Sequence, residues 1–276
     1  MYGVVPMRSG GEIPVHGYAI HFVSGIGIGA LGTLIGAGGG WMIVPLLLFG
    51  YHFSPQEAVG TSLAVVFLNA LSGSIAYMVQ GRVLYRMGLA FAIATIPGAL
   101  IGALLVQYLD SRWFSVLFGA LLLLIAAFLH RGRQLPFVRH RGIDLSSESL
   151  QSFRSPYMRV GVALSFLVGA ISSLFGIGGG IVHVPFLIVF LGIPVHTATA
   201  TSHFVLAITS LTGTLAFLRH GQVRLPVAAS MGLGVLLGAQ LGALLSMRLP
   251  GEPIRRILAV ALAVFACWLI LRTALL

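Results

Sequence analysis

Apolar residues run through this chain in long unbroken blocks, with polar residues gathered between them. The blocks cover roughly 18–50, 57–79, 87–107 and 113–129, then 159–190, 196–218, 226–247 and 254–275. Most approach the length of about 20 residues that carries a helix across about 30 Å of hydrocarbon. Only helices and closed barrels satisfy the backbone in lipid, and a barrel strand would alternate apolar with polar. The pattern therefore predicts an all-α integral membrane protein with about eight transmembrane helices. The stretch 130–158 is the only sizeable hydrophilic loop. It divides the chain into an N-terminal surface segment (1–17), a first membrane repeat (18–129), a linker (130–158) and a second membrane repeat (159–276).

The two halves align without a gap under a shift of 140 residues. Gly36-Ala37-Gly38-Gly39-Gly40 falls on Gly176-Ile177-Gly178-Gly179-Gly180, Val44-Pro45 on Val184-Pro185, and Thr61-Ser62 on Thr201-Ser202. Gly73, Gly81 and Val83 meet Gly213, Gly221 and Val223, and Gly102-Ala103-Leu104-Leu105 meets Gly242-Ala243-Leu244-Leu245. This predicts two tandem four-helix repeats, the common plan of secondary transporters. The first block of each half is too long for one straight crossing and is interrupted by its glycine cluster.

Composition agrees with the pattern. Residues are 58% hydrophobic and 8% charged, against about 25% charged in soluble proteins. That excludes an ordinary globular domain and also a disordered chain. All sixteen basic residues are Arg, against six acidic ones, for a formal charge of +10. The arginines lie between apolar runs, where they act as topology signals and do not form a nucleic-acid surface. With four crossings per half, Arg8, Arg82, Arg86, Arg131, Arg133, Arg139, Arg141, Arg154, Arg159, Arg219, Arg224 and Arg272 share one face. Arg112, Arg248, Arg255 and Arg256 take the other. The positive-inside rule then places the linker and both termini in the cytoplasm, with parallel repeats. A competing arrangement folds each glycine cluster into a re-entrant hairpin, which gives three crossings per half and inverted repeats. Cys267 alone offers neither a disulfide nor a cysteine metal cluster, and residues 1–17 lack the order of a signal peptide.

The candidate chemistry sits at the glycine clusters. Four glycines in five residues should break a helix, because each costs about 1 kcal/mol relative to Ala. A break leaves unpaired N–H groups and a helix N-terminus near Trp41 and Ile181, suited to an anion. For Gly98, Gly102, Gly238 and Gly242 the expected role is close helix packing. After the clusters, Thr61, Ser62 and Asn69 lie on one helix, and Thr201, Ser202 and His203 on its counterpart. Such neutral donors can hold an anion without a buried permanent charge; alternatively the hydroxyls bond back to their own helices. His183 and His203 occur in the second half only, and each fits ligand contact, proton relay or plain core packing. No span carries Asp or Glu at mid-depth, against a carboxylate proton relay or cation site. The expected binding set is thus Gly38, Gly39, Gly40, Trp41, Thr61, Ser62, Asn69, Gly178, Gly179, Gly180, His183, Thr201, Ser202 and His203. No catalytic residue, metal or cofactor is expected.

The paired G-x-G-G-G-x-x-x-V-P motifs, each followed by A-x-x-T-S and later G-x-V, resemble the TauE/SafE family of sulfite exporters, from about Phe22 to Leu269. The resemblance implies a multi-pass inner-membrane permease for small sulfur-containing anions such as sulfite, thiosulfate or sulfoacetate. The chain departs from internal symmetry where His203 replaces Leu63 and His183 replaces Ile43. Alternating access by two rocking repeats is the expected mechanism; a passive anion channel and a membrane-embedded enzyme are the alternatives. The partners expected are a small anion, membrane lipid and a coupling ion such as a proton or sodium. A homo-oligomer is compatible with the chain, and nucleic acid is not expected.

Overall fold

In a computed structural model, residues 15–131 and 156–274 are described, and within them the chain is helical. The first half comprises α1 (Val15–Ile35), α2 (Gly40–Pro45, which widens into a π-helical turn over Leu46–Gly50), α3 (Pro55–Val79), α4 (Tyr85–Leu105) and α5 (Ser111–Arg131). The second comprises α6 (Pro156–Phe175), α7 (Gly180–Val189), α8 (Val195–Arg219), α9 (Leu225–Arg248) and α10 (Gly251–Ala274). Among the described residues, eight helices are long and apolar enough to cross a membrane, four in each half. The two short pieces, α2 and α7, follow the glycine clusters.

Local chemistry sets the boundaries. Ser54 caps α3 in a capping box, accepting from the Glu57 N–H at 3.3 Å while the Glu57 carboxylate accepts from the Ser54 N–H. Pro55 opens the same helix, where its missing N–H costs nothing. Gly81 and Gly221 take positive φ in the turns α3–α4 and α8–α9. Tyr108 and Trp113, at the α4–α5 turn, are 86% and 62% exposed, as an interfacial belt requires.

The helices interlock across the halves: α1 packs on α9, α6 on α4, α3 on α8, and α5 on α10. Small residues make the closest seams. A Cβ at Gly238 would strike the Ile26 carbonyl and one at Gly242 the Ala30 carbonyl; at Gly98 and Gly102 it would strike those of Phe166 and Ala170. All four glycines therefore serve close packing, as the sequence suggests.

Helix directions correct the parallel-repeat expectation. Along α1 and α9, Phe22, Ile26 and Ala30 meet Gly234, Gly238 and Gly242 in turn, so the two run parallel. Helices α3 and α9 also run parallel, pairing Leu68 with Gly232, Ser72 with Leu236 and Gln80 with Ala243. Helices α4 and α6 run parallel through Gly98 with Phe166 and Gly102 with Ala170. Because α3 turns sharply into α4, α1 and α6 point in opposite directions, although they correspond under the 140-residue shift. The reason is a reversal at each glycine cluster. The Tyr51 hydroxyl lies 2.7 Å from His21 Nε2, which brings the end of the π turn back beside the second turn of α1. In the second half, His183 lies 3.1 Å from Ser165, so α7 likewise runs back along α6. The first block of each half is therefore a helix with a short return piece, not one broken crossing.

The arginines are redistributed accordingly. The α3–α4 turn lies at the same end as the close of α5 and the start of α6, with Arg82, Arg86, Arg131, Arg159, Arg248, Arg255 and Arg256. Arg133, Arg139, Arg141 and Arg154 belong to the segment that joins α5 to α6 and lie outside the described residues, as does Arg8. The opposite end holds the α8–α9 turn, the start of α1 and the close of α10, with Arg112, Arg219, Arg224 and Arg272. The single shared face expected for the linker, both turns and both chain ends is thus split. In a Cys267→Ser background, Arg82→Cys and His220→Cys are expected to react with an impermeant maleimide from opposite sides of sealed vesicles. Labelling of both from one side would overturn this arrangement.

Candidate functional site

Each glycine cluster is a tight reversal that only glycine can make. Gly36, Gly38 and Gly39 have φ of 78°, 74° and 82°, and Gly176, Gly178 and Gly179 have 69°, 76° and 91°. This left-handed region costs other L-residues roughly 1–2 kcal/mol each. In the first turn the N–H groups of Ala37 and Gly38 both donate to the Gly32 carbonyl, ending α1. The following N–H groups, of Gly39, Gly40 and Trp41, find no backbone acceptor among the described residues; neither do those of Gly179, Gly180 and Ile181. They are the first donors of α2 and α7.

The two reversals meet. A Cβ at Gly40 would strike the Gly176 carbonyl, and a Cβ at Gly180 the Gly36 carbonyl. Gly38 and Gly178 both lie against Val66 and Leu206. The backbones of the two halves are thus in direct contact, reciprocally, with the helix pair α3 and α8 alongside. Ser62 donates from α3 to the Gly176 carbonyl at 2.8 Å. Ser202 donates from α8 toward the Gly36 and Gly180 carbonyls, each at 3.4 Å. Each hydroxyl therefore reaches the break of the other half.

The second tier is asymmetric. Asn69 donates from Nδ2 to the Gly38 carbonyl at 3.2 Å and accepts from the Thr33 hydroxyl at 3.2 Å. His203 Nε2 lies 3.3 Å from the same hydroxyl, and Tyr77 donates to the Thr33 carbonyl at 2.7 Å. The Tyr77 and His203 rings meet edge-on at 5.8 Å. His203 is fully buried, and its Nδ1 has no hydrogen-bond partner. Under the 140-residue shift, Thr33, Leu63, Asn69 and Tyr77 correspond to Ser173, His203, Thr209 and Phe217. Thr209 is turned to Thr95, 2.7 Å away, and the buried Ser173 hydroxyl has no partner.

Not every expected residue joins this site. Thr61 and Thr201 accept from the backbone N–H groups of Arg224 (3.0 Å) and Leu84 (3.1 Å), holding the turns of the opposite half. His183 faces away from the breaks, with Nε2 3.1 Å from Ser165 and its ring stacked on Phe91. Trp41 is buried edge-on to Phe265 of α10, its indole N–H unpartnered. The structure adds Thr33, Tyr77, Ser173 and Ser172, the last with an unpartnered buried hydroxyl 3.5 Å from where a Cβ on Gly179 would lie; none of the four stands out in the sequence motifs. Asn69, Gly73 and Tyr77 recur at four-residue spacing, so one face of α3 carried a signal for Tyr77. Among the described residues no cluster of His, Cys, Asp or Glu has the makings of a metal site.

The model of the family described as "Sulfite exporter TauE/SafE" matches residues 21–269. The chain belongs to the TauE/SafE family. A probable membrane transporter protein YunE of Bacillus subtilis is 34% identical over 265 residues, covering 92% of this chain and 97% of the relative. A probable membrane transporter protein of Xylella fastidiosa is 31% identical, covering 87% and 90%. A third, MJ0441 of Methanocaldococcus jannaschii, is 29% identical, covering 90% and 94%. No solved structure matches. With eight long apolar helices among its described residues, the TauE/SafE chain is a multi-pass membrane protein of a transporter family.

Proposed function

We propose that this protein is a secondary carrier of small sulfur-containing oxyanions, with sulfite, thiosulfate and sulfoacetate as the candidates. The observation that carries the reading is the meeting of two glycine reversals whose leading N–H groups have no backbone acceptor. Around them stand neutral polar side chains: Ser62, Asn69 and Ser202, which donate to the cluster carbonyls, and Ser172 and His203, each with a buried polar atom that has no partner. An oxyanion can be bound there by amide and hydroxyl dipoles without a compensating buried cation. Gly38, Gly39, Gly40, Gly178, Gly179 and Gly180 supply the backbone of the site. Thr61 and Thr201 act from the outside, by fixing the turns. Rocking of the two halves about the glycine contact would expose the anion to each side alternately, with a proton or sodium gradient as the drive.

The same reading includes an orientation. Arginines concentrate at the end where α5 closes and α6 begins, so the positive-inside rule places that end in the cytoplasm. The start of α1 and the close of α10 then face the other side of the inner membrane, the reverse of the placement expected from sequence for the segments beyond them.

The test is flux of ³⁵S-sulfite into proteoliposomes holding the purified protein. Saturable uptake that thiosulfate or sulfoacetate inhibits, and that phosphate does not, is the expected result. Absence of protein-dependent flux for all three sulfur anions would refute the assignment. Unitary current steps in a planar bilayer would replace the carrier with a channel.

A further inference from the structure

At the arginine-rich end, α4 and α6 start side by side and leave a lateral groove between their first turns. The cavity measures about 730 Å³ and is lined by Leu89, Ala90, Ile93, Met158, Val162 and Ala163, with Arg86 and Arg159 beside them. Both arginines lie in the first two turns of their helices, both are exposed, and neither makes an ion pair among the described residues. Leu89 and Ile93 are 50% and 58% exposed, so the floor of the groove opens toward the membrane. Two unpaired guanidinium groups thus stand at the interface above an apolar channel that runs toward the bilayer interior.

We propose that this groove is a binding site for an anionic phospholipid, with the headgroup phosphate between Arg86 and Arg159 and an acyl chain along Leu89, Ile93 and Val162. The charge and the geometry select the ligand together. Guanidinium pairs with phosphate in a directional, charge-assisted contact, the parallel N-termini of α4 and α6 add partial positive charge, and the apolar floor takes only a hydrocarbon chain. The matching seam of the other half serves as an internal contrast. There Pro226 and Ala19 occupy the places of Arg86 and Arg159, and the space is bridged by His21 Nδ1, 3.0 Å from the Ser230 hydroxyl.

Native mass spectrometry of the full chain released from mixed phosphatidylglycerol and phosphatidylcholine nanodiscs tests the site. The wild type is expected to retain phosphatidylglycerol selectively. Arg86→Gln with Arg159→Gln should weaken that retention about thirtyfold, or about fivefold per arginine. Arg82→Gln with Arg248→Gln removes as much charge from the same end and should leave it unchanged. Equal retention of both lipids, or an equal loss in the control pair, would overturn the proposal in favour of a diffuse surface charge. Displacement by millimolar inorganic phosphate would overturn it in favour of a free-anion site. A gain in retention on Asp144→Asn with Glu148→Gln would identify the linker as the occupant instead.

Discussion

A chain with Gly39→Leu together with Gly179→Leu is expected to reach the membrane intact and to carry no sulfite in the proteoliposome assay. Both positions cap the short helices α2 and α7 in the left-handed region, at φ 82° and 91°. Leucine there costs roughly 1–2 kcal/mol per site and pulls the chain toward a right-handed turn, closing the reversal that frees the amides. The space around these two glycines yields more readily than at Gly36, Gly40, Gly176 and Gly180, where a Cβ meets backbone of the opposite half. The nearest atoms to a Cβ at Gly39 are the Ile28 side chain (2.6 Å) and then the Ile28 carbonyl oxygen (3.2 Å), both within the same half, and at Gly179 the side chains of Val168 (3.3 Å) and Ser172 (3.5 Å). The fold should therefore survive. Gly40→Ala and Gly180→Ala should behave otherwise, because there a single methyl meets backbone of the opposite half, which has no rotamer to escape into. Overpacking of that kind costs about 1–3 kcal/mol, and the two sites touch the same contact, so their effects will not add. Lowered thermal unfolding temperatures in detergent would register it. Gly27→Ala, with open space around it, is the silent control. Full transport by the Gly39→Leu, Gly179→Leu protein would remove the reversals from the mechanism.

The membrane class and the helix count were legible from the apolar blocks, because lipid imposes a length and continuity that few other environments require. The 140-residue register was equally plain as a pattern, and corresponding helices open on it: Pro55 and Val195, Tyr85 and Leu225, Ser111 and Gly251. Direction was not legible. The clusters Gly36–Gly40 and Gly176–Gly180 announce that a helix ends, but a kink and a full reversal use the same residue type. What decides between them is the packing of the return piece, seen in Tyr51 against His21, a contact between two residues that no local pattern joins. Arginine counting inherited that ambiguity, since an odd number of passes per half exchanges the ends of every later helix.

The site was legible in its backbone and only partly in its side chains. The spacing of Ser62 from its cluster places it on the right helix, yet its acceptor is the cluster of the other half. The Thr61-Ser62 and Thr201-Ser202 pairs read as two equal candidates. In the fold adjacent residues point to different neighbours, so the threonines hold turns and the serines reach the breaks. Internal asymmetry proved the better pointer. Of the two histidines that interrupt the repeat, one packs from α7 onto Ser165 of α6 and Phe91 of α4, and the other enters the polar cluster at the first reversal.

That difference separates the two histidines in function. His203→Leu installs the residue found at the matching position of the first half, so size and polarity have a precedent within the same fold. It removes the partner of the Thr33 hydroxyl, which also serves Asn69 and through it the Gly38 carbonyl. Loss of one partner in a buried network costs about 1–3 kcal/mol, which is roughly a five- to 150-fold fall in a rate that depends on it. We expect the initial rate of ³⁵S-sulfite uptake to fall by that factor. His183→Leu should fall by less than half, because Ser165 keeps its bond to the Gly161 carbonyl at 2.7 Å and the Phe91 face remains covered by an apolar side chain. Moving the imidazole, with Leu63→His added to His203→Leu, should not restore uptake. Ser173, Thr209 and Phe217 would surround it in place of Thr33, Asn69 and Tyr77, and Thr209 is already bonded to Thr95. Recovery in the transposed protein would mean that the histidine alone suffices in either half. An equal loss from the two single variants would mean that burial of a polar ring, and not contact with the reversal, is what transport requires.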